Sequence, residues 1–114
     1  MKIIKCNGTG NVMAVLTEIE NADDKILKAN DVDAAFEKHV PQFEDLSDKV
    51  RVYVNHVMED DHYIEWIMVD YGNMQIIKEF KPGEVAEIIV DKSDNMMAYS
   101  YCNKHSLWKN EKGE

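Results

Sequence analysis

Between residues 50 and 101 polar turns cut the chain into short apolar runs, and that rhythm restricts it to a β architecture. Val50, Val52 and Val54 alternate with Arg51, Tyr53 and Asn55, and Ile64, Trp66 and Met68 alternate with Tyr63, Glu65 and Ile67. Successive side chains on a strand point to opposite faces, so a period of two describes strands with one face buried. Asp70-Tyr71-Gly72-Asn73 reads as a hairpin turn, Met74 to Phe80 as a strand, Lys81-Pro82-Gly83 as a turn, and Glu84 to Val90 as the next strand. Asp91 to Asn95 is a further polar turn before a strand over Met96 to Tyr101. Five short strands at regular turn spacing predict an all-β fold, an immunoglobulin-like antiparallel β-sandwich of about seven strands. In the first third, Val12, Ala14 and Leu16 line one face of a strand after the Asn7-Gly8-Thr9-Gly10 turn, and Asp31 to Phe36 reads as one helical turn capped by Asn30 or Asp31.

A chain of 114 residues with 45% hydrophobic content is large enough for one core and too small for two independent ones. Twenty-two acidic against thirteen basic side chains give a net charge of −9, which argues against nucleic acid and anionic membranes as partners. Met1-Lys2-Ile3-Ile4-Lys5 offers two consecutive apolar residues before a charge, so neither a secretory core nor a membrane span is expected there and a cytoplasmic location is. In that compartment Cys6 and Cys102 are expected as thiols or metal ligands rather than as a disulfide.

All four histidines and Cys102 fall in three short segments: Glu37-Lys38-His39-Val40-Pro41, His56-Val57-Met58-Glu59-Asp60-Asp61-His62-Tyr63 and Tyr101-Cys102-Asn103-Lys104-His105. Four imidazoles and a thiolate are donors for a transition metal, and five of them exceed the four of a closed structural zinc site. A metal that prefers six ligands would keep one position for a small reactant, which makes iron the natural candidate. Loops cluster at the ends of a sandwich, so distant segments can meet there.

Those segments, in that order and with that spacing, together with the continuation His62-Tyr63-Ile64-Glu65-Trp66-Ile67 and the ending Leu107-Trp108, resemble the iron domain of the desulfoferrodoxin and neelaredoxin family, the superoxide reductases. The resemblance runs from about Phe36 to Trp108 and implies the same sandwich. It implies one mononuclear iron, cycling between Fe2+ and Fe3+, with His39, His56, His62 and His105 as equatorial ligands and Cys102 as the axial one. It implies one-electron reduction of superoxide to hydrogen peroxide, re-reduction by a small rubredoxin-type protein, and a homo-oligomer, either dimer or tetramer. Glu37 and Lys38 match the family's catalytic glutamate and lysine: the carboxylate serves the oxidised iron and the ammonium draws in the anion. Lys104 is a second candidate for local positive charge, and the backbone N–H groups of Asn103, Lys104 or His105 are candidates to tune the sulfur.

Longer members carry an N-terminal rubredoxin-like iron centre with four cysteines. Here Thr9 stands where a second cysteine would follow Cys6, so residues 1–35 read as a vestigial region without that centre and residues 36–114 as the iron domain. Val57 replaces a common proline and Ser106 a glycine. Trp66 and Trp108 are core aromatics first and shields of the metal second, and the seven methionines are core fillers rather than copper ligands. Glu59-Asp60-Asp61 lacks the spacing of a calcium loop and reads as a solvated connection. Two other readings compete: a blue-copper electron carrier, which leaves two histidines idle, and a non-catalytic zinc domain using both cysteines and two histidines.

Overall fold

The computed structural model describes residues 2–15 and 24–112. Its strands in chain order are β1 (Ile3–Cys6), β2 (Val12–Ala14), β3 (Asp24–Ile26), β4 (Gln42–Asp45), β5 (Lys49–Tyr53), β6 (Ile64–Asp70), β7 (Gln75–Glu79), β8 (Glu87–Asp91), β9 (Met97–Cys102) and β10 (Ser106–Glu111). They form three antiparallel sheets, ordered β2-β1-β3, β10-β9-β6-β7 and β4-β5-β8. The last two supply the seven strands of the sandwich. The five strands anticipated from alternation are β5 to β9, while β4 and β10 complete the count.

The turns follow from their residues. Gly72 has φ +97, a left-handed conformation that suits glycine, and a Cβ there would meet the Asn95 amide at 3.2 Å. Asp70 Oδ1 accepts from the Gly72 N–H at 2.8 Å, and the Tyr71 N–H reaches Met74 at 2.8 Å, closing the β6–β7 hairpin. At the N-terminus the Cys6 N–H donates to Asn11 at 2.9 Å across the Asn7–Gly10 turn, and β1 pairs with β2 and β3. Val12 and Ala14 lie on the expected strand, whereas Leu16 lies outside the described residues.

Two buried clusters show what the layers hold. Val50, Val52, Ile64, Ile67, Val69, Val90, Ala98 and Cys102 pack between the two sandwich sheets. On the other side of the four-stranded sheet, Ile3, Met68, Tyr99, Tyr101 and Leu107 form a second cluster against β1–β3, flanked by Trp66, Val12 and Ala14. β6 therefore has apolar surroundings on both faces. Its register shifts between Ile64 and Trp66, and this bulge corrects the simple alternation expected there. Ile64, Ile67 and Val69 go to the sandwich core, while Trp66 and Met68 go to the outer cluster. Ile64, Ile67, Met68 and Val69 are fully buried, and each contributes about 1.5–3 kcal/mol.

The helical turn also differs from expectation. It is a 3-10 turn over Phe36–Lys38, and Ala35 at its start provides no side-chain cap. Asn30 takes φ +60, and its side chain instead bridges β10, donating to Lys109 O at 3.2 Å and accepting from the Lys109 N–H at 2.8 Å. The pull of these long-range bonds outweighs the local capping preference of Asn30. No helix among the described residues is long and apolar enough to cross a membrane.

Candidate metal centre

Strand register explains why the three segments meet. Gln42, at the start of β4, pairs with Tyr53 at the end of β5; Ile64, at the start of β6, pairs with Cys102 at the end of β9, which also faces Ser106 at the start of β10. The residues just outside these five strand ends share one end of the sandwich. His39 precedes β4, His56 follows β5, His62 precedes β6, Cys102 closes β9 and His105 sits in the β9–β10 turn.

Their donor atoms all lie within 4.8 Å of one another. His39 Nε2 is 3.0 Å from His105 Nδ1, and Cys102 Sγ is 3.5 Å from His56 Nε2 and 3.9 Å from His105 Nδ1. The rings border one another in a closed cycle: His39–His56 at 4.7 Å, His56–His62 at 4.6 Å, His62–His105 at 5.1 Å and His105–His39 at 4.8 Å between centroids, each pair edge to face. Four imidazoles thus surround one point, with the sulfur beside it. Cys102 is fully buried and His39 is 4% exposed, whereas His56, His62 and His105 are half-buried, so the sulfur closes the inner side and the other face lies toward solvent.

Outer hydrogen bonds select which nitrogen each ring presents. His39 Nδ1–H donates to Ala35 O at 2.7 Å, and His56 Nδ1–H donates to the carbonyl of Val57, leaving both Nε2 atoms for the cluster. The acceptor there is the backbone carbonyl of Val57, not its side chain. Trp108 Nε1–H donates to His105 O at 2.9 Å and stacks on His39 at 4.9 Å; Ser100 Oγ–H, wholly buried, donates to His39 O at 2.7 Å. Trp108 is thus core and wall of the cluster at once. Trp66 lies elsewhere, stacked on Tyr101 at 5.7 Å.

The chemistry of the set fits a cation. His62 Nε2 is buried with no hydrogen-bond partner, an arrangement that costs about 1–3 kcal/mol unless something else accepts its lone pair. Burial pushes His39 and His56 below the ordinary histidine range, and their imidazole neighbours push the same way, so both are neutral donors at pH 7. Burial raises the Cys102 thiol, an effect opposed by the backbone N–H groups of Lys104 and His105. The Asn103 N–H goes instead to Tyr63 O at 3.3 Å.

Glu37 and Lys38 occupy the exposed 3-10 turn directly before His39, and the Glu37 carboxylate is close enough to favour the charged form of His39. Lys104 Nζ lies 3.8 Å from Asp61 Oδ2, so part of its charge is compensated. Cys6 is remote in sequence and strand from the cluster, and no disulfide joins it to Cys102. Sequence reasoning missed Ser100 altogether, and for Asn103 it named the backbone N–H but not the side chain, which bonds to Asp61 and Tyr63.

A sandwich that gathers four imidazoles and a thiol at one end defines a protein of the mononuclear metal-binding class. The family model described as Desulfoferrodoxin matches residues 31–111. A desulfoferrodoxin homologue from Methanothermobacter thermautotrophicus is 36% identical over 118 residues, covering 94% of this chain and 95% of the relative. The chain belongs to the desulfoferrodoxin family. The crystal structure of the superoxide reductase from Treponema pallidum covers 94% of this chain and 98% of its own with a TM-score of 0.71 at 23% identity, which shows a shared fold that includes the N-terminal sheet. The superoxide reductase from Nanoarchaeum equitans, 29% identical with a TM-score of 0.53, covers 69% of this chain and 94% of its own.

Proposed function

We propose that the protein is a superoxide reductase, an oxidoreductase in which His39, His56, His62, His105 and Cys102 hold one iron. The observation that carries this reading is the closed ring of four imidazoles with a buried thiol to one side and solvent on the other. Iron held by these residues would supply the single electron that, with two protons, turns superoxide into hydrogen peroxide, and the Cys102 thiolate would increase its electron-donating power. The chain's own residues do the rest. The 3-10 turn presents the Lys38 ammonium beside His39, where it attracts an anion against a net charge of −9. The Glu37 carboxylate stands next to it as the group suited to the oxidised metal. The N–H groups of Lys104 and His105 hold the sulfur and moderate its donor strength.

Residues 1–35 are assigned to a vestigial region and residues 36–114 to the iron domain; Cys6 is the single cysteine before Cys102. The donor assigned by family likeness is a rubredoxin-type protein, the compartment is the cytoplasm and the assembly a dimer or tetramer. Metal analysis of protein purified under reducing conditions, followed by a visible spectrum after oxidation, tests the reading. One iron per chain with a thiolate-to-ferric charge-transfer band is the expected result; two irons, or zinc retained at full occupancy, would overturn it.

A further inference from the structure

His62 is carried by a loop with little packing of its own. The Glu59 N–H donates to His62 O at 3.0 Å and the His62 N–H to Glu59 O at 3.2 Å, closing a tight turn through Asp60 and Asp61, both exposed. His39 and His56 are pinned by ring hydrogen bonds to backbone carbonyls, and His105 by the Trp108 bond to its carbonyl. Besides the 3.8 Å ion pair of Lys104 with Asp61, between two exposed side chains, the Asn103 side chain ties the His62 turn to the rest of the site. Asn103 Nδ2 donates to Asp61 O at 2.9 Å, and Asn103 Oδ1 accepts from the Tyr63 N–H at 3.0 Å, so a single amide grips the chain on both sides of His62. The Asn103 N–H, donating to Tyr63 O, adds a third link.

We propose that Asn103 is a positioning residue that holds His62 in register with Cys102, its neighbour in sequence. This rests on the reading of the five-donor set as a metal site. The chemistry suits the residue type: a primary amide carries a donor and an acceptor on separate atoms, so it can donate to one backbone carbonyl and accept from a backbone N–H two residues away. Aspartate keeps the acceptor toward Tyr63 but turns a carboxylate oxygen toward the Asp61 carbonyl. Alanine releases the turn, and His62 then reaches the metal only from a broader set of loop conformations. Outer groups that orient a ligand are generally worth about 10–100-fold in metal affinity.

The test is a double-mutant cycle on metal-free protein with cobalt(II) as the probe, followed by visible absorption and competition with a chelator. Asn103→Ala should weaken cobalt binding by about 10–100-fold in the parent. In a His62→Ala background the same substitution should change affinity less than about threefold, because the group it acts through is gone. Asn103→Asp should fall between parent and alanine variant, and serves if the alanine variant folds poorly. Parent-like affinity in Asn103→Ala, or losses that multiply fully in the double variant, would show that Asn103 does not act through His62. If the parent itself fails to bind one cobalt, the five-donor reading falls, and this inference with it.

Discussion

Ser106 is where the structure makes its sharpest quantitative demand. The β9–β10 connection reverses the chain within Asn103–His105, and Ser106, the next residue and the partner of Cys102, takes φ +67. A side chain in that left-handed region costs about 1–2 kcal/mol, which glycine avoids. Glycine in turn gives the unfolded chain more freedom, at a cost of roughly 0.5–1 kcal/mol. Ser106→Gly should therefore stabilise the fold by about 0.5–1 kcal/mol, a rise in Tm of roughly 2–8 °C for a domain of this size. Asn30, at φ +60, is the contrast. Asparagine tolerates that conformation better, and its side chain makes two hydrogen bonds to Lys109 worth about 0.5–1.5 kcal/mol each, so Asn30→Gly should lower Tm. Thermal unfolding of the metal-free proteins, which keeps metal binding out of the comparison, measures both. A Ser106→Gly protein melting at or below the parent would refute the claim that backbone strain beside His105 is a stability cost.

Cys102→Ser should retain the fold but lose the charge-transfer colour and most superoxide reduction; retained colour would show that the sulfur is not a ligand. Lys38→Ala should lower the second-order rate with superoxide, measured by pulse radiolysis, and weaken its salt dependence, since fields within about 10 Å survive at 0.1 M ionic strength; an unchanged low-salt rate would move the steering role elsewhere. Metal loading at pH 7 should release about one proton per chain, because burial keeps the Cys102 thiol protonated whereas His39 and His56 are already neutral; calorimetry in buffers of different ionisation enthalpy reads this number, and none released would contradict it. Because those two histidines titrate below their unfolded value, the unfolded chain binds more protons between the two values. Metal-free stability should then be fully present above about pH 6.5 and decline as pH falls below it, as melting curves will show.

Residue pattern alone marks the β class, the five central strands and the five histidine and cysteine side chains that the fold gathers at one end. Alternation reports burial directly, and histidine and cysteine in three ordered segments have few other uses. Glycine at Gly72, with Asp70 and Asn73 beside it, marked its turn for the same reason: the requirement is local. Tertiary structure decided the rest. Ile64 to Val69 reads as a half-buried strand, but the N-terminal sheet covers its second face, and a bulge sends Trp66 and Met68 outward, a fact set by layers far apart in the chain. The 3-10 turn lies at Phe36–Lys38 rather than over Asp31 to Phe36 because Asn30 is held by β10, nearly eighty residues away by the 79-residue separation of that bond. Which nitrogen each histidine presents likewise depends on carbonyls and indoles that only folding brings near. A donor's chemistry is written in its residue type, but its direction is set by the hydrogen bonds around it.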